Sequence, residues 1–392
     1  MHLPASRSAA PDPVFQDRKR WFWLLSVVFP ALGTIGPVSH LLGAASAGWF
    51  AVPFLLFYGV VPIADWLLGE DPSNPPESEV PALEVDGYYR AILYLTVPVL
   101  WAAVLLNLVF LATHPLPWAP WVATVLATGS VLGFGLNLSH ELGHKQSAVA
   151  HKTALFSTSL GAYGHFSIEH NRGHHRHVST PEDPASARMG ESIYGFVLRE
   201  MPGAFTRAWR LEADRLQRNG HRAWHPHNEI LQAGTVTLLL YAGLTALYGW
   251  PMLGTLLLVA FWGAFHLTSA NYIEHYGLQR RRLADGRYER CAPHHSWNSN
   301  HIVSNLMLFH LQRHADHHAH PGRSYQSLRD FPDLPRLPSG YFGMFILAYL
   351  PPLWFGVMDP RVVQAVGGDS ACINFAPGQR EVLSKRFGLQ AG

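Results

Sequence analysis

The sequence predicts an all-α integral membrane protein: six transmembrane helices with a cytoplasmic helical cap that holds a histidine-rich di-metal site. Three observations carry this. Of 392 residues, 48% are hydrophobic and only 14% charged. The apolar residues gather into six long runs almost free of Lys and Arg. Nine of the 24 histidines fall in four short clusters, each flanked by Glu or Asp.

Crossing a bilayer as a helix takes about 20 apolar residues. The qualifying runs are 21–42, 47–68, 88–112, 118–139, 230–248 and 252–270. Buried helices of a large soluble protein are the rival, and so many runs with at most one charge in a single chain oppose it. Ahead of the first run, Arg7, Arg18, Lys19 and Arg20 form a basic lead expected to stay in the cytoplasm, with no cleavable signal peptide. The links 43–46, 113–117 and 249–251 are uncharged, whereas 69–87 is rich in proline and acid, which breaks any helix. Taken alternately, every Lys and Arg falls on one side of the six-span arrangement. That side also receives both termini and all four clusters.

The expected organisation is therefore a cytoplasmic lead (1–20), helices one to four (21–139), a cytoplasmic catalytic segment (140–229), helices five and six (230–270), and a second catalytic segment with the C-terminal region (271–392). Tryptophans such as Trp21, Trp49, Trp66, Trp118 and Trp250 sit near run ends, where interfacial aromatics belong. The stretch 341–357 is apolar but broken by Pro351-Pro352. It is too short to cross, so it is expected to lie in the interface or pack on the cap, with a buried core helix as the rival. A net charge of +2 gives no footing for nucleic acid. Two cysteines, Cys291 and Cys372, make neither a disulfide framework nor a four-thiolate site.

The clusters read as metal ligands because of their spacing. His140 and His144 are four apart at the end of the fourth run, on one helical face. His170, His174 and His175 stand at i, i+4 and i+5; His314, His317 and His318 at i, i+3 and i+4; and His275 closely follows the sixth run. Nine imidazoles exceed one ion's needs, so two ions are the economical count. Imidazole suits Zn, Cu, Fe and Ni. The adjacent Glu141, Glu169, Glu274 and Asp316 read as acceptors that fix the ligand tautomers, with salt bridging to nearby arginines as their plainer role. His151, His221, His225, His227 and His320 lie in polar segments and are expected to be solvated. His266, on the face opposite His275, should not share the metals. His165, His177, His294, His295, His301 and His310 could at most be outer groups.

Two other chemistries compete. His140-Glu-Leu-Gly-His144 also fits two zinc ligands and a glutamate base on one helix, as in a membrane zinc protease. That would leave seven aligned histidines unexplained. A haem or metal-carrier protein would want paired histidines inside the bilayer, and these clusters flank it.

The three boxes His-x3-His, His-x3-His-His and His-x2-His-His resemble those of membrane fatty-acid desaturases and hydroxylases. The likeness tightens to the AlkB-type alkane 1-monooxygenases through His140-Glu-Leu-Gly-His-Lys145, Glu169-His-Asn-x-Gly-His-His175, Asn271-Tyr-x-Glu-His-Tyr-Gly-Leu278 and Leu311-Gln-Arg-His-x-Asp-His-His318. The stretches 180–191 and 294–301 are similar as well, so the resemblance spans nearly the whole chain. It implies a non-haem di-iron centre on the nine histidines, without haem or flavin. It also implies O2-dependent oxidation of a terminal methyl group to a primary alcohol, with electrons from rubredoxin and its reductase. Two isolated cysteines cannot supply a fused rubredoxin, so the donor is expected to be separate. The implied location is the bacterial inner membrane, with the site on the cytoplasmic side. A methyl hydroxylase of alkyl aromatics or a desaturase is the nearest alternative.

An alkane offers nothing to grip by charge or hydrogen bond, so terminal selectivity must come from a narrow apolar channel. Phe57, just before Tyr58-Gly59 where the family has a bulky channel residue, is the candidate channel side chain. Lys145, Arg280, Arg281, Arg282 and Arg323 are candidates for docking an acidic donor, although the positive-inside bias alone would also place them.

Overall fold

A computed structural model describes residues 15–389; Arg7 and the rest of 1–14, and residues 390–392, lie outside the described part of the terminal segments. Among the described residues, five helices are long and apolar enough to cross a membrane: α3 (Ala47–Leu68), α4 (Gly87–Thr113), α5 (Trp118–Gly143), α7 (Glu229–Tyr248) and α8 (Trp250–His275). They follow the second to sixth expected runs. The first run is broken instead into α1 (Arg20–Leu32) and α2 (Ile35–Leu41), bent by 62°. Pro37 explains the break. It has no N–H to give to residue 33, and its ring would clash with that carbonyl in a continuous helix. Hydropathy cannot see this.

Helices α5 and α8 form the enclosed centre of the bundle, while α3 and α7 turn most of their surface outward. Small residues set the close approach. A Cβ on Gly129 would lie 2.7 Å from Trp262 Cδ1, one on Gly133 2.6 Å from His266 Cβ, and one on Gly263 3.0 Å from Leu132. Apolar lipid gives helices no hydrophobic reason to associate, so such backbone-level packing is what joins them. Any side chain at Gly133 would wedge apart the two helices that end in His144 and His275.

The apolar stretch near the C-terminus forms α10 (Tyr341–Ala348) and α11 (Pro351–Ala365), turned on each other by 118°. At about 1.5 Å per residue neither arm reaches across a hydrocarbon core of about 30 Å. Tyr341, Phe342, Met344 and Phe345 are buried against the bundle. Pro351 and Pro352 fall in the first turn of α11, where a missing N–H costs nothing.

The cap is built from 144–228 and from the chain after α8. Its longest helix is α6 (Ile193–Arg218), opened by Ser192, whose Oγ accepts the Gly195 N–H. The acidic link 69–87 straps down the last histidine helix, α9 (His314–Ala319). Asp71 accepts from Arg313 Nη2 at 2.9 Å and also pairs with Lys19, and Glu77 takes Arg323 at 2.7 Å and Arg329 at 3.1 Å. Arg313 is fully enclosed and further donates to Asn300, Leu328 O and Ser73 O. A buried cation is tolerable only with such complete pairing. Asp65, the one acid inside α3, accepts the N–H groups of Val303 and Ser304, each at 3.0 Å, capping the short helix Ile302–Met307.

Candidate metal centre

The nine clustered histidines meet at the cap end of the bundle and divide into two groups. His140, His144, His170, His175 and His317 form one, and His174, His275, His314 and His318 the other; within each, one ring nitrogen per residue lies within 4.8 Å of all the rest. Helix α5 supplies its ligands only to the first group and α8 only to the second. The turn 170–175 and helix α9 each supply both.

Backbone geometry explains that sharing. In an α-helix, five residues turn through roughly 500°, which would leave His170 and His175 about 140° apart. Residues Glu169–His174 instead form a π-helical turn, in which the His175 N–H bonds to His170 O. With i→i+5 pairing, His170 and His175 sit one turn apart on the same side, and His174 is free to face the other group. In α9, His314 and His318 are four apart and share a face, while His317 is rotated toward the first group.

The nitrogens are arranged as ligands of shared ions. Nε2 atoms stand 3.0 Å apart between His140 and His317, 3.0 and 3.1 Å from His175 to His170 and His317, 3.2 Å between His275 and His314, and 2.9 Å between His314 and His318. Imidazoles about 2.0–2.1 Å from one metal, at octahedral to tetrahedral angles, would be separated by roughly 2.8–3.4 Å. The Nε2 of His144, a member of the first group, is buried without a hydrogen-bond partner. Burial above all, then the neighbouring imidazoles, drives the pKa values of His144, His170, His175, His314, His317 and His318 well below the ordinary range. Each lone pair is therefore available near neutral pH. The donor set fits two ions.

The flanking carboxylates have distinct surroundings. Glu141 pairs with Lys145 at 2.6 Å and accepts the Tyr325 N–H at 3.2 Å. Glu169 pairs with Arg207. Asp316 accepts from Arg323 at 3.0 Å and from the Arg329 N–H at 2.9 Å. Glu274 alone of these four comes near a ligand nitrogen, with Oε2 3.4 Å from His314 Nε2, while its Oε1 accepts the Tyr341 O–H at 2.8 Å.

The carboxylate that meets a ligand's far nitrogen is Asp183, whose Oδ2 lies 2.9 Å from His174 Nδ1. Burial alone would raise its pKa, but His174 and Arg207, the latter at 2.7 Å, outweigh that and hold it well below the carboxylate range. It therefore fixes His174 with Nε2 toward its group, 3.3 Å from His318 Nε2. Asp183 lies in 180–191, a stretch similar to the family's. Its nine-residue distance from His174 concealed the contact.

An apolar cavity of about 40 Å3 lies between α5 and α8 below this centre, with Asn137, Ala270 and Leu311 in its lining and none of the nine histidines. Phe29, Phe57, Phe134 and Phe342 crowd it, with ring centroids 4.7 Å apart between Phe29 and Phe57 and 4.6 Å between Phe29 and Phe134. Phe57 and Tyr58 sit in a π-helical turn of α3, Leu56–Val60, and Phe57 is almost wholly buried. At the far end, Tyr58 and Ser130 meet His266. His266 lies about 13–14 Å below His275 by helical rise and joins neither group.

The five basic docking candidates divide by exposure. Arg281 and Arg282 are exposed, Arg281 pairing with Asp369. Lys145 is half-buried beside Glu141. Arg280 and Arg323 are buried, Arg280 donating to the carbonyls of Glu289 and Arg176.

A multi-pass helical bundle that closes two histidine groups over one end defines a class: membrane-embedded proteins with a paired, all-histidine metal centre. Residues 115–347 match the fatty acid desaturase family. The chain is 51% identical over 387 residues to alkane 1-monooxygenase 1 of Alcanivorax borkumensis, covering 98% of this chain and 95% of the relative. It is 52% identical over 382 residues to alkane 1-monooxygenase of Ectopseudomonas oleovorans, covering 97% and 94%. The hydroxylase component of a xylene/toluene monooxygenase from Pseudomonas putida is 30% identical over 224 residues, 57% of this chain and 59% of that one. The chain belongs to the alkane 1-monooxygenases of the fatty acid desaturase family.

Proposed function

We propose that the protein oxidises the terminal methyl group of a linear alkane to a primary alcohol, using O2. One oxygen atom enters the C–H bond and the other leaves as water, consuming two electrons and two protons. The observation that carries this is a pair of histidine groups with an apolar cavity beneath them, its lining residues Asn137 and Leu311 each three positions before a clustered histidine, in a chain half identical to alkane 1-monooxygenases over nearly its full length. Two iron ions, held by the five-histidine and four-histidine groups, would supply O2 activation.

The protein's own residues do the rest. The phenylalanine-lined cavity excludes water and presents a chain end-on, so selectivity comes from shape. Asp183, through His174, and Tyr341, through Glu274, keep the four-histidine side oriented. At about 40 Å3 the cavity is far below the roughly 300 Å3 of a small ligand pocket. Entry of a chain must therefore rotate side chains, and Phe57 is the obstacle we assign to chain length. Rubredoxin, reduced by its reductase, is the proposed donor, docking on the cytoplasmic face through the exposed Arg281 and Arg282. The segments 140–229 and 271–392 make up the catalytic cap on that face.

Purified protein in nanodiscs, given iron, rubredoxin, its reductase and NADH, should convert octane to 1-octanol and bind two irons per chain. A parallel incubation with xylene tests the second reading, which the xylene/toluene relative favours. Octane left unreacted while xylene is hydroxylated would transfer the assignment to aromatic methyl groups. Phe57→Ala should extend the product range toward longer alkanes, and an unchanged chain-length profile would remove Phe57 from the channel role.

A further inference from the structure

A third cluster of histidines lies away from the centre. Between α6 and α7 the chain reads His221-Arg-Ala-Trp-His225-Pro-His227. One ring nitrogen from each histidine lies within 4.8 Å of the other two. The His221 and His225 rings stack at 3.9 Å between centroids, and His227 stands 4.6 Å from His225.

This is a held loop and not a chance meeting of mobile side chains. Asn228 donates its N–H to His225 O and its Nδ2 to Ala223 O, each at 2.8 Å. Its Oδ1 meanwhile caps α7, accepting from the Ile230 and Leu231 N–H groups. Arg215 Nη2 reaches His227 O at 2.7 Å, and Gln232 Nε2 reaches Pro226 O at 2.7 Å. The backbone that carries the three rings is thus tied to both helices, and ordering it costs a ligand little. The one competing interaction is a long 3.2 Å bond from the His227 N–H to His225 Nδ1. At this exposed position, ring rotation gives it up cheaply.

We propose that His221, His225 and His227 form a second metal site, taking one borderline divalent ion, Zn2+, through three imidazoles with solvent completing the shell. The ligand chemistry selects such an ion over Mg2+ or Ca2+, which demand oxygen donors. Partial desolvation and the two neighbouring rings lower the His225 pKa, favouring the neutral form that a metal needs. The loop lies on the same end of the bundle as the main centre, because α7 leaves it and α8 returns to finish at His275. Its bound ion would clamp the α6–α7 turn next to the last turns of α6, where Glu212 holds Arg172, in the shared π-turn, at 3.0 Å.

The experiment uses nanodisc-embedded protein whose nine-histidine centre is already loaded, titrated with Zn2+ against a chromophoric chelator. Wild type should bind one further equivalent at micromolar zinc and gain thermal stability as it does. The double variant H221Q/H225Q should lose that equivalent and the gain, binding at least about tenfold more weakly, while hydroxylating octane normally without zinc. With Cu2+ as probe, wild type should show three nitrogen couplings by electron paramagnetic resonance. Equal zinc uptake by both proteins, or uptake by wild type only at millimolar zinc, would overturn the proposal.

Discussion

The two histidine groups use the same ligand chemistry in different settings. His144 and His175 of the five-histidine group are partly exposed, whereas all four residues of the other group are buried. The buried group is also the one with carboxylates at hand, Asp183 on His174 and Glu274 beside His314. Each group draws private ligands from its own membrane helix, yet both depend on the π-turn and on α9. A change in a private helix should therefore damage one group, and a change in a shared element should damage both.

The largest effect should come from His275→Ala. It is expected to abolish hydroxylation and remove metal from the four-histidine group only, halving the metal content while the helices stay inserted. Full activity would undo the assignment, and loss of both ions would undo the separation between groups. Next, Arg313→Leu strips the fully buried cation that anchors α9, leaving Asp71 with Lys19 as its remaining cationic partner and the acceptors Asn300, Leu328 O and Ser73 O unmet. Breaking such a pair costs about 3–5 kcal/mol. Both groups should lose metal and the melting temperature should fall, so retention of the five-histidine ion would show that α9 is not the shared support.

Asp183→Asn should act more narrowly, weakening metal affinity about 10–100-fold at the four-histidine group alone. Equal weakening of both ions, measured by chelator competition, would mean that the two groups are not independently held. The smallest effect concerns Glu200, which accepts from Thr268 at 2.9 Å and Asn271 at 3.2 Å and so braces α8 below His275. Burial, followed by the charge of Glu169, pushes its pKa up to about 7. Because the folded state keeps a proton that the unfolded chain has lost, stability should decline as pH rises from the ordinary carboxylate value to about 7, then level off. Glu200→Gln should flatten the melting profile across that window. An unchanged slope would place the titration elsewhere.

Much of this was legible in the residues, and the limits are physical. The ligand types and the membrane helices follow from spacing and hydropathy, both local properties. The five-and-four division does not, because in an α-helix His175 would face away from His170. Only the π-turn reconciles them, and no residue pattern announces it. Carboxylates adjacent to ligands in sequence were the natural candidates for orienting them. On a helix, however, a neighbour points elsewhere, and Asp183 reaches His174 from a following loop. The acidic link 69–87 reads as a helix breaker, and its work on Arg313 depends on a partner more than 200 residues away. The break before Ile35 is explained by Pro37, yet its 62° angle needed the structure.

Helix α9 has a consequence for how the protein is made. Ribosomes deliver the chain from its N-terminus, and His317 and His318 are the last ligands to emerge. Each completes a different group, so neither ion can gain its full set of donors until translation has passed residue 318 and the acidic strap has closed over Arg313. Metal loading would thereby be deferred to a nearly finished chain, and a nascent bundle truncated after α8 would have neither histidine group complete.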